Sequence, residues 1–282
     1  MSIVSQSGFA EPFEPPKNYS TVGDMAPALH GFRYTHSDAP DRHVALMDCL
    51  IGGEAMNLSP SAGFPAIDVD DGKLVVGFQD RTPSGNEFHY NVAHSLIDLP
   101  SAERFQIRQV GCVDHHKIQL PRRVFSRSRF FARENRVLGI TGFRIFMSGT
   151  RDIELKAIGV WFEDNELNVE FRDRGGNVTY NCAVDFVSIP TRGLVSKTDL
   201  HQGSDSSNGN VDITTIDRAE AFLSGWRFEF KDNIDRNIKD IGVLQSERRL
   251  NVFFGDSGGG ETFDWKVWRS QIAPQVLAPV NG

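Results

Sequence analysis

The sequence predicts an all-β protein made of three tandem copies of an antiparallel, sandwich-like unit. Two observations support this fold class. Apolar and polar residues alternate with a period of two along many short segments, which is typical of strands with one buried face. In addition, the segment Gly142–Ile189 aligns with Gly225–Ile272 at a constant offset of 83 residues, and 17 of the 48 aligned pairs are identical. No stretch of the sequence shows sustained helical periodicity.

A third, more divergent copy lies upstream and begins at Gly31-Phe32-Arg33. Where the other two copies read Ile-Gly-Val, it reads Met47-Asp48-Cys49, and it carries an insertion at residues 52–71. We call the three segments repeats 1, 2 and 3 in chain order. Turns such as Asp173–Gly176 separate strands within a repeat, because Asp caps the turn backbone and Gly accepts a positive φ.

The repeats and the segments between them predict the organisation of the chain. The predicted parts are an extended N-terminal arm (1–28), repeat 1 (29–100), a basic connection with repeat 2 (101–190), a polar loop with repeat 3 (191–272) and a C-terminal tail (273–282). The polar loop is the segment His201–Asp212. An alternative architecture stays open: a single pseudo-threefold β-prism, in which three sheets share one axis.

One short motif resembles a known family. Ile140-Thr141-Gly142-Phe143, followed by Ala157-Ile158-Gly159-Val160, resembles the ending of jacalin-related lectins, which are β-prisms that bind sugars. The spacing inside the motif is longer here, and another hairpin follows it. The likeness covers a small part of the chain, and it carries over no sugar-binding residue.

Composition and charge exclude several classes of protein. The net charge of −7 argues against a general nucleic-acid coat, and no apolar run is long enough to span a bilayer. The N-terminus has neither the basic nor the apolar region of a secretory signal. The three cysteines, Cys49, Cys112 and Cys182, do not make a disulfide framework. We therefore expect a cytoplasmic protein, or part of a particle that is released without a signal peptide.

The segment 101–141 is the clearest electrostatic anomaly. It holds nine arginines and lysines against three carboxylates, a net charge of +6, which leaves −13 on the rest of the chain. A solvated basic strand face is the simpler explanation. The functional explanation is a contact with an acidic protein neighbour, including another copy of this chain. This explanation is favoured over nucleic acid, because the acidic remainder repels a polyanion. The predicted contact residues are Arg122, Arg123, Arg127 and Arg129.

Motifs for catalysis are absent from the sequence. It has no P-loop, no GxSxG, no HExxH, no dinucleotide fingerprint and no paired CxxC. We therefore predict no enzyme activity and no cofactor. Asp68, Asp70 and Asp71 form a weak candidate for a cation site, because the remaining spacing of a calcium loop is missing. Histidines concentrate in repeat 1 and its borders, where burial in the core is the simpler expectation and metal binding the alternative.

Two function classes remain. The first is a structural or accessory protein of a multi-subunit assembly, such as a particle surface, a tail or an injection apparatus, which acts through protein–protein contacts. The alternative is a glycan-binding protein with repeated weak sites, in which Trp268 and Trp161 stack on sugar rings. Trp268 has the opposite strand parity from the core residues, and this predicts that its ring is exposed.

Overall fold

The computed structural model describes residues 3–10, 17–18, 26–36, 44–51, 73–80, 88–97, 102–125, 135–147, 154–206, 208–231, 238–246, 248–256 and 262–274. Across these residues the chain forms antiparallel strands, with one short 3-10 helix at Arg122–Val124 and no α-helix. The prediction of an all-β protein is confirmed. No helix among the described residues is long and apolar enough to cross a membrane.

The strands are numbered in chain order. Their bounds are β1 Ile3–Ala10, β2 Lys17–Asn18, β3 Ala26–His36, β4 Val44–Ile51, β5 Lys73–Asp80, β6 Phe88–Ile97, β7 Glu103–Val113, β8 His115–Gln119, β9 Arg136–Met147, β10 Leu155–Glu163, β11 Glu166–Asp173, β12 Thr179–Pro190, β13 Leu194–Asp205, β14 Gly209–Asp212, β15 Glu220–Phe230, β16 Ile238–Gln245, β17 Arg249–Asp256 and β18 Phe263–Pro274.

These strands form three antiparallel sheets of six strands each. Sheet A has the order β1-β6-β3-β16-β17-β14, sheet B the order β2-β5-β4-β9-β12-β7, and sheet C the order β13-β18-β15-β10-β11-β8. Each repeat contributes to two sheets. Its first and last strands form half of one sheet, and its middle hairpin joins the half-sheet of another repeat: β4 pairs with β9, β10 with β15, and β16 with β3.

The prediction of three tandem sandwich-like units is not confirmed. A tandem sandwich would pair its strands within one repeat, whereas each sheet here combines strands of two repeats. The alternative, a β-prism, likewise consists of three sheets. The predicted polar loop His201–Asp212 is also largely strand, because it supplies the end of β13 and the whole of β14. As outer strands of their sheets, both expose side chains, and so their polarity does not signal a loop.

Three aromatic rings meet where the three sheets come together. Phe32, Phe143 and Trp226 each follow the glycine that opens the aligned block of a repeat. Their ring centroids lie 5.1 Å (Phe32–Phe143), 5.0 Å (Phe32–Trp226) and 4.9 Å (Phe143–Trp226) apart, and all three side chains are fully buried. Tilted and edge-on aromatic contacts at these distances add to the stabilisation from burial alone.

A ring of hydrogen bonds is formed by the residues two positions before these aromatic side chains. The Nδ1 of His30 lies 2.8 Å from the carbonyl oxygen of Ala221. Thr141 donates its hydroxyl to the carbonyl of Pro27 at 3.1 Å, and Ser224 donates to the carbonyl of Leu138. The bonds link β3 to β15, β9 to β3 and β15 to β9, so that the first strands of the three repeats are tied together in a closed cycle. Each bond gives a backbone carbonyl a side-chain partner, and the carbonyl of Ala221 also accepts from the hydroxyl of Ser95 at 3.0 Å.

An arginine one residue after each aromatic side chain clamps the junction between two repeats. Arg33 contacts Asp240 at 2.5 Å in sheet A. Arg144 contacts Asp48 through two bonds of 2.8 and 2.5 Å in sheet B, where both side chains are buried. In sheet C, Arg227 lies 2.5 Å from Glu170. Paired contacts of a guanidinium with a carboxylate are among the stronger hydrogen-bonded pairs in proteins.

The residue pair facing each arginine combines one glycine with one larger side chain. These cross-strand pairs are Asp48 with Gly77, Gly159 with Glu170, and Gly242 with Phe253. The glycines of repeats 2 and 3 are forced, because a Cβ would lie 2.7 Å from the carbonyl of Trp226 at Gly159 and 2.3 Å from that of Phe32 at Gly242. Arg144 therefore meets Asp48 on the neighbouring strand β4, and Arg227 meets Glu170 one strand further on, on β11. Arg33 does both, because it pairs with Asp240 on β16 and lies over the ring of Phe253 on β17.

We expect that the carboxylate partner of Arg144 can be moved from position 48 to position 77. Asp48→Gly should cost about 3 kcal/mol or more of unfolding free energy, because it leaves Arg144 buried without a carboxylate. Adding Gly77→Glu rebuilds the arrangement of repeat 2 and should recover most of that loss. Denaturant unfolding of both variants measures the effect.

The single variant Gly77→Glu is the control. On its own it crowds a second carboxylate against Asp48, whose Cβ lies 3.2 Å from the position of a Cβ at residue 77, and it should destabilise the protein. If the double variant is no more stable than Asp48→Gly, a carboxylate at position 77 does not replace Asp48 as the partner of Arg144.

Candidate interaction surface

Three consecutive elements of the segment 101–141 expose basic side chains. On β7 exposure alternates, and Arg104 and Arg108 are among its exposed residues. On β8 the side chain of Lys117 is 58% exposed and lies 3.6 Å from Glu166. The 3-10 helix then exposes Arg122 and Arg123. We call these five residues the basic corner, because β7 is the outer strand of sheet B and β8 that of sheet C.

Apolar side chains anchor the two arginines of the 3-10 helix. Val124 is fully buried and Phe125 nearly so, and both belong to the main hydrophobic core. The hydroxyl of Ser188 donates to the carbonyl of Val124 at 2.6 Å. The guanidinium of Arg123 lies 5.8 Å from the ring of Phe105, within the range of a cation–π contact. The backbone that carries Arg122 and Arg123 is therefore fixed, while their side chains face solvent.

The other two predicted contact residues, Arg127 and Arg129, lie outside the described residues. Among those that are described, neither Arg122 nor Arg123 forms an ion pair. Arg33, Arg144 and Arg227 differ in this respect, since each is paired with a carboxylate of another repeat. Arg122 and Arg123 are thus available to a partner, whereas the junction arginines are committed to the fold.

A carboxylate with an altered pKa lies beside β7. Asp185 on β12 is the cross-strand neighbour of Gln106. Burial raises the pKa of Asp185 to about 7, although a hydrogen bond from Gln106 and the charges of Arg108 and Arg104 act in the opposite direction. Because this group changes charge near neutral pH, the net charge next to the basic corner depends on pH.

The two candidate sugar-binding tryptophans lie together in sheet C, but they are buried. Their indole rings stack in parallel with centroids 5.5 Å apart, and the ring of His115 stacks on Trp161 at 5.1 Å. Trp161 is 5% exposed and Trp268 8% exposed, so the expectation of an exposed Trp268 is wrong. The strand parity placed Trp268 outside the main core, but the neighbouring side chains cover its ring. Gly225 allows this stack, because a Cβ there would lie 2.3 Å from that of Trp161.

The predicted metal candidates find no geometric support in the part of the chain that the structure describes. Asp68, Asp70 and Asp71 lie outside it. Within it, no group of three or more His, Cys, Asp or Glu side chains is arranged to hold a metal ion. The three cysteines are buried and free. His30, His36 and His94 are buried at 4%, 2% and 3% exposure, as the simpler expectation has it.

Sequence analysis missed the buried polar residues of repeat 3. Arg269 is 1% exposed and donates to Gln245 at 2.8 Å and to the carbonyl of Thr214 at 3.2 Å. The aligned residues of repeat 2 are Phe186 and Phe162, whose rings lie 5.0 Å apart. The signal was present in the alignment, since an arginine and a glutamine replace two phenylalanines. Without the strand pairing, nothing showed that these two positions touch.

Comparisons with known proteins identify no family for this chain. The chain matches no protein-family model and no curated protein. One solved structure that it resembles is described as "The Triple Jelly Roll Fold and Turret Assembly in an Archaeal Virus", with 7% identity, a TM-score of 0.18 and coverage of 97% of this chain and 91% of that one. Another is the infectious bursal disease virus VP2 subviral particle, with 9% identity, a TM-score of 0.11 and coverage of 93% and 68%. Likenesses this low carry no argument.

The buried histidine of β6 should make stability depend on pH. Burial lowers the pKa of His94 from 6.5 to about 4. The folded chain then binds fewer protons than the unfolded chain between these values. Protonation of His94 in the unfolded chain therefore opposes folding below about pH 6.5. The free energy of unfolding falls as the pH drops from there towards about 4, and His94 causes no further change below that. The loss amounts to about 3 kcal/mol.

Replacement of His94 by phenylalanine tests this. The variant has no imidazole to titrate, and Phe186 at the aligned position of repeat 2 shows that the fold accepts the ring. Unfolding free energies at pH 7, 5.5 and 4 should therefore fall less steeply for His94→Phe than for the wild type. His89→Gln, at an exposed position of the same strand, is the control and should keep the wild-type slope. Equal slopes for the wild type and His94→Phe would contradict the assignment.

Proposed function

We propose that this protein is a non-enzymatic structural or accessory subunit of a larger assembly, and that it binds a protein partner through the basic corner. The observation that carries the proposal is the contrast between two sets of arginines. The junction arginines are paired and hold the repeats together. Arg122 and Arg123 are exposed on a backbone anchored by Val124 and Phe125, and they have no ion pair among the described residues. Such a site suits an acidic surface on a neighbour.

The outer strands of the sheets also support an assembly role. β13 closes one side of sheet C, pairs with β18, and exposes Val195 and Leu200 at 43% and 47%. β7 closes one side of sheet B and exposes Val110 and Val113 at 52% and 44%. Long outer strands with exposed apolar side chains can accept a strand or a flat surface of another chain. The fold therefore offers contacts on more than one side, as a subunit requires.

The alternative function, glycan binding through Trp268 and Trp161, receives no such support. Sugar rings stack on exposed aromatic faces, and both tryptophans are buried against each other and against His115. A glycan site on this protein would need other residues.

Removal of the two exposed arginines tests the proposal. Arg122→Gln combined with Arg123→Gln should change the unfolding free energy by less than about 1 kcal/mol, because exposed charges contribute little to stability. In material from the native source, the wild type should elute as part of a large particle, whereas the variant should elute as a smaller species. Size-exclusion chromatography with light scattering measures this, and the wild-type particle should weaken as salt is raised.

Arg192→Gln combined with Lys239→Gln is the matched control, since it removes two exposed basic charges outside the basic corner. It should leave the wild-type elution unchanged. The proposal fails if the wild type elutes as a small species from native material, or if the Arg122 and Arg123 variant stays in the particle.

A further inference from the structure

A wide groove lies in repeat 3, next to the outer strand β14. It has a volume of about 1100 Å³ and lies between the stretch Asp212–Ala219 and the residues Ser246, Arg248 and Arg249. This volume slightly exceeds the roughly 300–1,000 Å³ of typical small-molecule clefts, so the groove has room for a ligand of several rings. The lining mixes hydroxyl groups (Thr214, Thr215) with apolar side chains (Ile213, Ile216) and charged ones.

Buried polar side chains hold one wall of the groove in place. Arg269 donates to the carbonyl of Thr214 and, at 3.3 Å, to the hydroxyl of Thr215. Gln271, which is fully buried, donates to the carbonyl of Thr214 at 3.1 Å and accepts from the amide of Ile216 at 2.8 Å. The wall is therefore a fixed part of the fold, because both side chains that define its path are themselves enclosed.

The wall is particular to repeat 3. In repeat 2 the position of Arg269 is occupied by Phe186, which packs on Phe162 and Phe105. In repeat 3 the contacts of Arg269 with Gln245, Thr214 and Thr215 are all with uncharged groups. Asp199, the cross-strand neighbour of Arg269, supplies an opposite charge, but burial outweighs it and lowers the pKa of Arg269. A positive charge therefore lies directly behind the wall of the groove.

Three further arginines line the groove and are weakly engaged. Arg249 lies 3.6 Å from Asp212, and Arg218 lies 3.8 Å from Asp217, with all four side chains more than half exposed. Arg248 is exposed and has no ion pair among the described residues. Arg218 also adopts a left-handed backbone conformation at φ 57°, which is uncommon for a residue other than glycine. Exposed pairs at these distances contribute little, and an incoming anion can replace the carboxylates.

We infer that this groove binds an oligosaccharide that carries carboxylate or sulfate groups, with Arg218, Arg248 and Arg249 contacting the acidic groups. Guanidinium groups recognise such anions through paired hydrogen bonds. The exposed hydroxyls of Thr214 and Thr215 match sugar hydroxyls, and the half-buried side chain of Ile216 matches the face of a sugar ring. With a volume of about 1100 Å³, the groove is far larger than a single small anion. The inference does not rest on the proposed assembly role, because it uses a different surface.

Calorimetric titration of the full chain tests the inference with four probes. These are a galacturonic acid tetramer, a fully sulfated galactose tetramer, the neutral galactose tetramer and inorganic sulfate. At least one acidic tetramer should bind ten-fold or more tightly than the neutral tetramer and inorganic sulfate, and its affinity should fall as salt rises. The triple variant Arg218→Gln, Arg248→Gln, Arg249→Gln should lose that affinity by ten-fold or more.

Two controls separate this site from the basic corner. The variant Arg192→Gln with Lys239→Gln should bind the acidic tetramer like the wild type, and so should Arg122→Gln with Arg123→Gln. The inference is overturned if neither acidic tetramer binds, if the neutral tetramer binds equally well, if inorganic sulfate matches the acidic tetramers, or if the triple variant keeps wild-type affinity. None of these outcomes bears on whether the Arg122 and Arg123 variant leaves the particle.

Discussion

The contact between Phe32, Phe143 and Trp226 is the constraint on which the rest of the structure depends. Each ring comes from a different repeat, and the three rings are nearly equidistant. Because each repeat places its middle hairpin in the sheet of another, no sheet is complete until two repeats have met. The rings can meet only when all three repeats are present. All three repeats are therefore needed to form the centre of the fold, and the contacts that define it are long-range.

The junctions between repeats show how one constraint is met in three ways. An arginine at each junction needs a partner, and the strand spacing leaves room for one side chain across two neighbouring positions. Repeat 1 places it at Asp48 and leaves Gly77 bare, whereas repeats 2 and 3 keep Gly159 and Gly242 and place Glu170 and Phe253 on the next strand. Phe253 serves as a ring 4.0 Å from the guanidinium of Arg33, whose carboxylate partner is Asp240. What is held constant is the space that the side chains fill, while the residue types differ.

The sequence predicts local structure well and long-range pairing poorly, and the reason is physical. Alternation with a period of two reports that a segment is a strand and which face it buries, and so it identifies Val169 and Trp226 as core residues. It does not report which other strand lies beside it, and tandem sandwiches and shared sheets give the same pattern. Strand parity likewise placed Trp268 outside the main core, but the cover over its ring comes from side chains on other strands. The partner of Arg144 was invisible until β4 was placed beside β9.

Some positions of this fold tolerate substitution better than others. A residue near the shared centre packs against side chains of the other repeats, so a change there affects more than one repeat. Phe222 is an example, since a Cβ on Gly139 of repeat 2 would lie 2.7 Å from its ring. A residue at the margin of a sheet contacts the strands of one repeat and can change alone. The basic corner of repeat 2 and the groove of repeat 3 that Arg218, Arg248 and Arg249 line both lie at such margins. Different surfaces can therefore arise on one scaffold without any change in the contacts that hold it together.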